Sequence, residues 1–347
     1  MKITERIETF SELGSILHQY VSDIGVEKHN NKIDSAILQA EKENPWFTRE
    51  NILYQMKEIS ENLKKDRLES WINSYPLFSD DKIKTIAVVM PGNIPLVGFH
   101  DFLSVLITGN KFLGKSSSKD KILIELIADI LNDINPEFSN FIRFENNSVK
   151  DFDAIIATGS NNSSMHFQYY FKKYPHIIRK HRNSVAVLDG KETETDLSGL
   201  ADDIFLYFGL GCRNVSKILV PKDTDIRKIL PAFEKFNGII NHNKYANNYS
   251  YNSTVYYMNN IKFLDTGFLL LKHDLNISSP IAVIYFDYYK NISNLVKYFI
   301  SNNDQMQCIV SNIPEIQKRI QFGCTQKPEL SDYSDGVDTI DFLISLK

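Results

Sequence analysis

Apolar positions near the start of the chain recur every three to four residues. The stretches "ITERIETFSELGSILHQYV", "KIDSAILQAEKENPWF" and "TRENILYQMKEISENL" each carry that helical period, and Thr48 followed by Asn51 and Ile52 predicts a capped start to the third. Residues 1 to about 75 therefore read as a helical preface. From Lys82 the pattern changes to short β-branched runs alternating with helical ones: "TIAVVM", "VGFHDFLSVLITG", "KFLGKSS", "DKILIELIADILNDI", "AIIATGS", "MHFQYYFKKYP" and "NSVAVLD". Strands alternating with helices of roughly 10–15 residues predict a parallel sheet with right-handed crossovers, which is an α/β fold. The rhythm returns over about 186–310 in "SKILVP", "IRKILPAFEKFNGI", "PIAVIYFDYY" and "ISNLVKYFISN", so a domain boundary is set near 185, dividing 1–185 from 186–347. Residues 241–253, "NHNKYANNYSYNS", read as a loop.

Composition narrows the class. The chain has 347 residues, 43% of them hydrophobic and 24% charged, with a formal net charge of -4, enough to bury the cores of two domains. No apolar run reaches the ~18 residues that span a bilayer, and "MKITERIETF" lacks the apolar stretch of a signal peptide, so a cytoplasmic location is expected. The mild acidity argues against duplex binding, which wants a concentrated positive field. Cys212, Cys308 and Cys324 are odd in number and show no Cys-x-x-Cys spacing, which predicts thiols rather than disulfides or a zinc site. The histidines are scattered without metal-ligand spacing, and no metal is expected.

Three segments stand out chemically. In "PGNIPL", Pro91 and Gly92 break the strand "TIAVVM" and leave Asn93 in a turn at its carboxyl end, where ligands of α/β sheets sit; an Asx-type turn former is the plainer role for it. In "IIATGSNNSS", Gly159 and Ser160 close an apolar strand ahead of a helix, a turn able to offer N–H groups to a pyrophosphate, although no G-x-G-x-x-G is present. In "GLGCRNVSK", Cys212 sits alone between a glycine and an arginine, as a small buried hydrophobe or as a nucleophile.

Together and in order, "PGNIPL...GNKFLGKSSS", "ATGSN", "VLDGK" and "FGLGC" resemble the P-W-N-F-P, G-N-x-x-x-x-K-P-S, F-T-G-S, E-L-G-G-K and G-Q-x-C series of the aldehyde dehydrogenase superfamily. The helical preface, "PGNIPL", "FGLGCRNVSK" and the ending "FGCTQKPELSDYSDGVDT" resemble, within it, the acyl-CoA reductase family typified by the fatty-acid reductase of bacterial bioluminescence. The likeness runs over roughly residues 80–340. It implies an aldehyde dehydrogenase-like α/β fold, with a Rossmann-type nicotinamide dinucleotide domain in 1–185 and a catalytic domain carrying the cysteine and the tail in 186–347. It makes Cys212 the acyl-accepting nucleophile and Asn93 an oxyanion donor, with Lys115 at the adenosine ribose and Gly159 and Ser160 facing the cofactor phosphates. Coenzyme A leaves, and hydride from the nicotinamide gives a hemithioacetal that collapses to the aldehyde.

Departures from the superfamily pattern shape the rest. Val187 stands in place of the Glu of E-L-G-G-K, which leaves out the base that activates water and suits reduction over hydrolysis. Asn276 replaces a Glu that holds the nicotinamide ribose. Ser118 replaces a Glu that accepts from the ribose 2′-hydroxyl, favouring NADPH, with NADH the alternative. The expected partners are an acyl-CoA or acyl-protein substrate, an acyl-transferring protein and a second copy of the chain; nucleic acid is not expected. The rival readings are a reductase fed only by an acyl-protein partner and a non-catalytic cofactor-binding scaffold.

Overall fold

The computed structural model describes residues 1–24, 27–76 and 82–347. They divide into two compact units, residues 1–180 with 329–347, and residues 181–328. The predicted preface forms α1 (Ile3–Val21), α2 (Glu27–Glu43), α3 (Arg49–Asn62) and α4 (Lys65–Asn73). Thr48 caps α3 by accepting from the N–H of Asn51. The preface helices bury one face each, with Phe10, Leu13, Ile37 and Met56 in the same core as Phe102 and Leu131.

The remainder of the first unit alternates strand and helix: β1 (Thr85–Val89), α5 (Phe99–Ile107), β2 (Lys111–Lys115), α6 (Ile122–Ile134), β3 (Ile142–Phe144), β4 (Ala154–Thr158), α7 (Asn161–Phe171) and β5 (His176–Arg179). The strands form a five-stranded sheet in the order β3-β2-β1-β4-β5. All its pairings are parallel, with Ile86 of β1 opposite Phe112 on one side and Ala154 on the other. Because the chain runs outward from β1 and then returns to lay β4 on its other side, the carboxyl ends of β1 and β4 flank a switch point of the kind where open α/β sheets bind ligands. Buried Arg6 of the preface ties α1 to this layer by donating to the carbonyl of Ile107, at the end of α5.

The second unit holds β6 (Asn183–Val187), α8 (Glu194–Phe205), β7 (Val215–Pro221), α9 (Asn243–Met258), β8 (Leu264–Asp265), β9 (Leu270–His273), β10 (Val283–Tyr289), α10 (Ile292–Asn302), β11 (Met306–Val310) and β12 (Arg319–Ile320). Its seven-stranded sheet has the order β12-β11-β6-β7-β10-β9-β8 and is parallel except for the short pair β8 and β9. The segment expected to be a loop at 241–253 is instead most of α9. His242 caps it, and Tyr245, Asn252 and Tyr256, seven and four residues apart, bury one face that a count of aliphatic residues does not register. The acidic stretch at 189–196 ends as the first turn of α8, where Thr193 and Asp196 form a capping box.

The chain then returns to the first unit and ends in α11 (Thr339–Ser345). Ile340 and Leu343 are wholly buried in the preface core. Arg179 joins the tail to the sheet, reaching Asp101 at 2.6 Å and donating to the hydroxyl of Thr339 at 2.9 Å. No described helix is long and apolar enough to cross a membrane.

Candidate active site

The first unit brings two of the sequence-predicted residues into one cavity. Lys115, the last residue of β2, and Ser118 line a space of about 460 Å³ together with Met90, Lys121, Glu125 and Glu145. The cavity lies over the carboxyl ends of β1, β2 and β3, because Val89, Lys115 and Phe144 all contribute to it. Lys121 crosses its mouth to Asn146 at 3.0 Å and Glu125 at 3.8 Å, and burial pushes the Glu125 carboxyl above its usual range. Ser116 turns a buried hydroxyl into the same wall with no hydrogen-bond partner among the described residues. Two ammonium groups and a run of serine hydroxyls at sheet carboxyl ends suit the ribose and phosphate of a dinucleotide.

Gly159 and Ser160 sit outside that cavity's lining, at the end of β4. A Cβ at Gly159 would lie 2.8 Å from Ser163, so only glycine lets α7 start this close to the strand. Ser160 caps α7, its hydroxyl accepting from the N–H of Ser163 at 3.2 Å. The turn thus puts the amino end of an eleven-residue helix at the switch point, favourable ground for an anion.

Asn93 lies in the turn between β1 and α5, partly buried, as the Pro-Gly break predicts. Gly92 is pressed against the next loop, since a Cβ there would meet the hydroxyl of Ser117 at 2.5 Å.

Cys212 belongs to the second unit, between α8 and the central strand β7. After α8 the backbone makes three successive left-handed residues, Tyr207, Phe208 and Gly209. Two of them are not glycine, a cost of about 1–3 kcal/mol each that surrounding contacts must offset. Buried Asn214 supplies much of that hold. Its amide donates to the carbonyls of Asp203 at 3.0 Å and Leu206 at 2.8 Å, while its oxygen accepts from the N–H of Gly211 at 2.8 Å. Residues 211–214 close on themselves, with Asn214 N–H bonded to the Gly211 carbonyl and Cys212 at the tip. Ser184, at a register shift where β6 meets β7, donates its hydroxyl to the Cys212 carbonyl at 3.0 Å.

Neighbouring groups fix the loop from outside. Arg213 directs Nε to the Thr325 carbonyl at 2.6 Å. Asp203 accepts from the N–H of Gly323 at 2.8 Å and from both the N–H and the hydroxyl of Thr325, while burial lifts its pKa to about 6. A cavity of about 210 Å³ opens beside the loop, lined by Phe205, Phe208, Gly211, Tyr245 and the segment 278–284. The residues just before that segment are held by β7, whose Ser216 donates to the Ile277 carbonyl and whose wholly buried Lys217 donates to the carbonyls of Asp274 and Leu275. Asn276 bonds back to Asp274 at 2.9 Å.

Val187, which stands in place of the missing base, is the last residue of β6. It is wholly buried in an apolar cluster with Val185, Leu219 and Ile277, and it does not line the cavity beside the Cys212 loop. The alternation of β6 turns Val185 and Val187 to the same side, into that cluster. Sequence reasoning missed Asp203, Asn214 and Lys217. Only the last leaves a signal, as a charge inside the apolar run "SKILVP". Cys308 is buried in β11, and the three cysteines form no disulfide. Among the described residues no cluster of His, Cys, Asp and Glu is arranged to hold a metal ion.

Comparison with known proteins bears on the whole arrangement. The profile of a family described as acyl-CoA reductase (LuxC) matches residues 19–229. No curated protein matches in sequence. Aldehyde dehydrogenase 21 from Physcomitrella patens, solved with its reaction product succinate, is similar with a TM-score of 0.71 at 12% identity, over 100% of this chain and 84% of that one. An NAD-dependent benzaldehyde dehydrogenase from Corynebacterium glutamicum is similar with a TM-score of 0.67 at 12% identity, over 94% and 80%. The aldehyde dehydrogenase KauB from Pseudomonas aeruginosa gives 0.66 at 12%, over 92% and 73%. The fold is that of aldehyde dehydrogenases.

Proposed function

Because the chain belongs to the acyl-CoA reductase (LuxC) family, we propose that it reduces an acyl thioester, a long-chain acyl-CoA, to the aldehyde with NADPH through an acyl group carried on Cys212. The observation that carries this reading is the Cys212 loop. A cysteine at the tip of a turn closed by Asn214 and anchored by Ser184 is held in one place at the mouth of the central strand. That is the rigidity a nucleophile needs and a space-filling thiol does not.

The Cys212 thiolate attacks the thioester carbonyl carbon, and the electron pair moves onto oxygen. The Asn93 side-chain amide and the Cys212 N–H are the donors to that oxyanion, each worth about 2.7–4 kcal/mol in comparable sites. The carbonyl re-forms as coenzyme A leaves as a thiolate, which needs no strong base, so a buried valine at 187 costs the reaction nothing. Lys115 and Ser118 would hold the adenosine ribose of the dinucleotide, and the turn at Gly159 and Ser160 its phosphates. When bound, the reduced nicotinamide supplies hydride. Expulsion of the Cys212 sulfur then frees the aldehyde.

Intact-mass measurement after incubation with acetyl-, octanoyl- and hexadecanoyl-CoA tests the reading. The parent is expected to gain one acyl mass, and Cys212→Ala none, with NADPH binding unchanged. Aldehyde formation by Cys212→Ala would sink the mechanism. An unacylated parent would leave acyl-CoA reduction without its first step.

A further inference from the structure

Asp120 has no part in the chemistry described so far, yet it is among the most deeply buried carboxyls of the first unit, about 6% exposed. It lies in the loop between β2 and α6, two residues beyond Ser118. The backbone N–H groups of Leu96 and Val97 hydrogen-bond to its carboxyl, and its other oxygen, Oδ1, has no partner among the described residues. Leu96 and Val97 belong to the turn that carries Asn93, and Leu96 is left-handed there with φ 53°. A bulky side chain in that region is held only where neighbours over-determine it.

The neighbours do so from three sides. Gly92 abuts Ser117 and Lys119, where a Cβ would come within 2.5 Å of the Ser117 hydroxyl and 3.1 Å of Lys119. At the far end of the turn a Cβ on Gly98 would meet the Met90 sulfur at 2.5 Å. Between these contacts Asp120 accepts from the turn's amides, at Leu96 and Val97. Burial without a cationic partner lifts its pKa to about 7, so it is kept as a hydrogen-bond acceptor more than as a charge.

We propose that Asp120 is the positioning residue of the Asn93 turn: by accepting from the amides of Leu96 and Val97 it holds the left-handed turn that presents Asn93, and it couples that turn to the loop carrying Ser118. The inference rests on the oxyanion role of Asn93 proposed above for its catalytic consequence, and on the fold alone for its structural one.

Asp120→Leu fills the same space without an acceptor, whereas Asp120→Asn keeps one acceptor oxygen for the same two amides. Two measurements are made on the full chain: amide hydrogen exchange over residues 90–99, and single-turnover acylation by octanoyl-CoA. In Asp120→Leu, exchange at Leu96 and Val97 is expected to quicken at least tenfold, and acylation to slow by roughly 10- to 100-fold. Asp120→Asn should stay within threefold of the parent in both. The double variant Asn93→Ala/Asp120→Leu should acylate no more slowly than Asn93→Ala, because Asp120 acts through Asn93. Parent-like exchange in Asp120→Leu, or a double variant that loses the product of the two single losses, would overturn the proposal. Should Asp120→Leu not fold, Asp120→Ala read by the same exchange decides. Parent-like acylation in Asn93→Ala overturns the donor role of Asn93 itself, and the exchange result still decides whether Asp120 holds the turn.

Discussion

A carboxylate introduced at Ser118 would share a cavity with Lys115 and Lys121, and also with Glu125 and Glu145, which already place negative charge there. The cation of Lys121 is partly committed to Glu125 and Asn146, so the balance at the ribose is close and one added charge should tip it. Ser118→Glu is expected to weaken NADPH relative to NADH by about tenfold or more, equivalent to about 1.4 kcal/mol, through repulsion of the 2′-phosphate and acceptance from the 2′-hydroxyl. Fluorescence titration of both dinucleotides reads this without turnover. An unchanged ratio would remove Ser118 from the ribose site.

Between elements, the contact to test is the one Asp203 makes from α8 to residues 323–325. Burial raises its folded pKa to about 6, against about 3.9 for an exposed aspartate. The sign follows from linkage. A raised acid favours folding fully only below the unfolded value, and that contribution is lost as pH rises through the folded one, here between about pH 4 and 6. Asp203→Asn removes the titration but keeps the volume. The variant therefore gains on the parent by up to a few kcal/mol as pH goes from 4 to 8, whatever fixed penalty it carries for a mismatched donor. Thermal melts of both proteins across that range measure the gap. A gap that stays constant with pH would show that Asp203 does not titrate in this window.

At the scale of the molecule, the tail makes the first unit discontinuous in sequence. Besides Ile340 and Leu343 in the core, the Leu330 carbonyl accepts from His100 Nε2 at 2.9 Å, and Trp71 donates to the Tyr333 hydroxyl at 2.7 Å. Each fully buried aliphatic side chain is worth about 1.5–3 kcal/mol, so losing two consumes much of the 5–15 kcal/mol by which a domain is typically stable. A chain ending at Pro328 is expected to lose cooperative melting of the first unit or to melt far below the parent. Melting within a few degrees of the parent would show that the tail contributes little to that core.

The periodicities of the preface and of the alternating runs were enough to specify helices, strands and a parallel α/β fold, since burial of one face repeats at 3.6 or 2 residues wherever it occurs. The Pro-Gly break, the Gly-Ser turn and the isolated cysteine were likewise legible, because special turns demand particular residues. What the sequence hid depends on partners distant along the chain. The α9 face is made of Tyr and Asn rather than aliphatic residues, and its burial follows from packing. Asp120, Asp203 and Asn214 look like ordinary polar loop or helix residues until the fold buries them against backbone amides and carbonyls over twenty or a hundred positions away or across one tight turn. Val187 is noticed in the sequence by its place in a motif, and its burial follows from the side of β6 it occupies. Local spacing sets which element a segment becomes, whereas desolvation, and with it the acidity and anchoring of the groups around Asn93 and Cys212, exists only once the elements are packed.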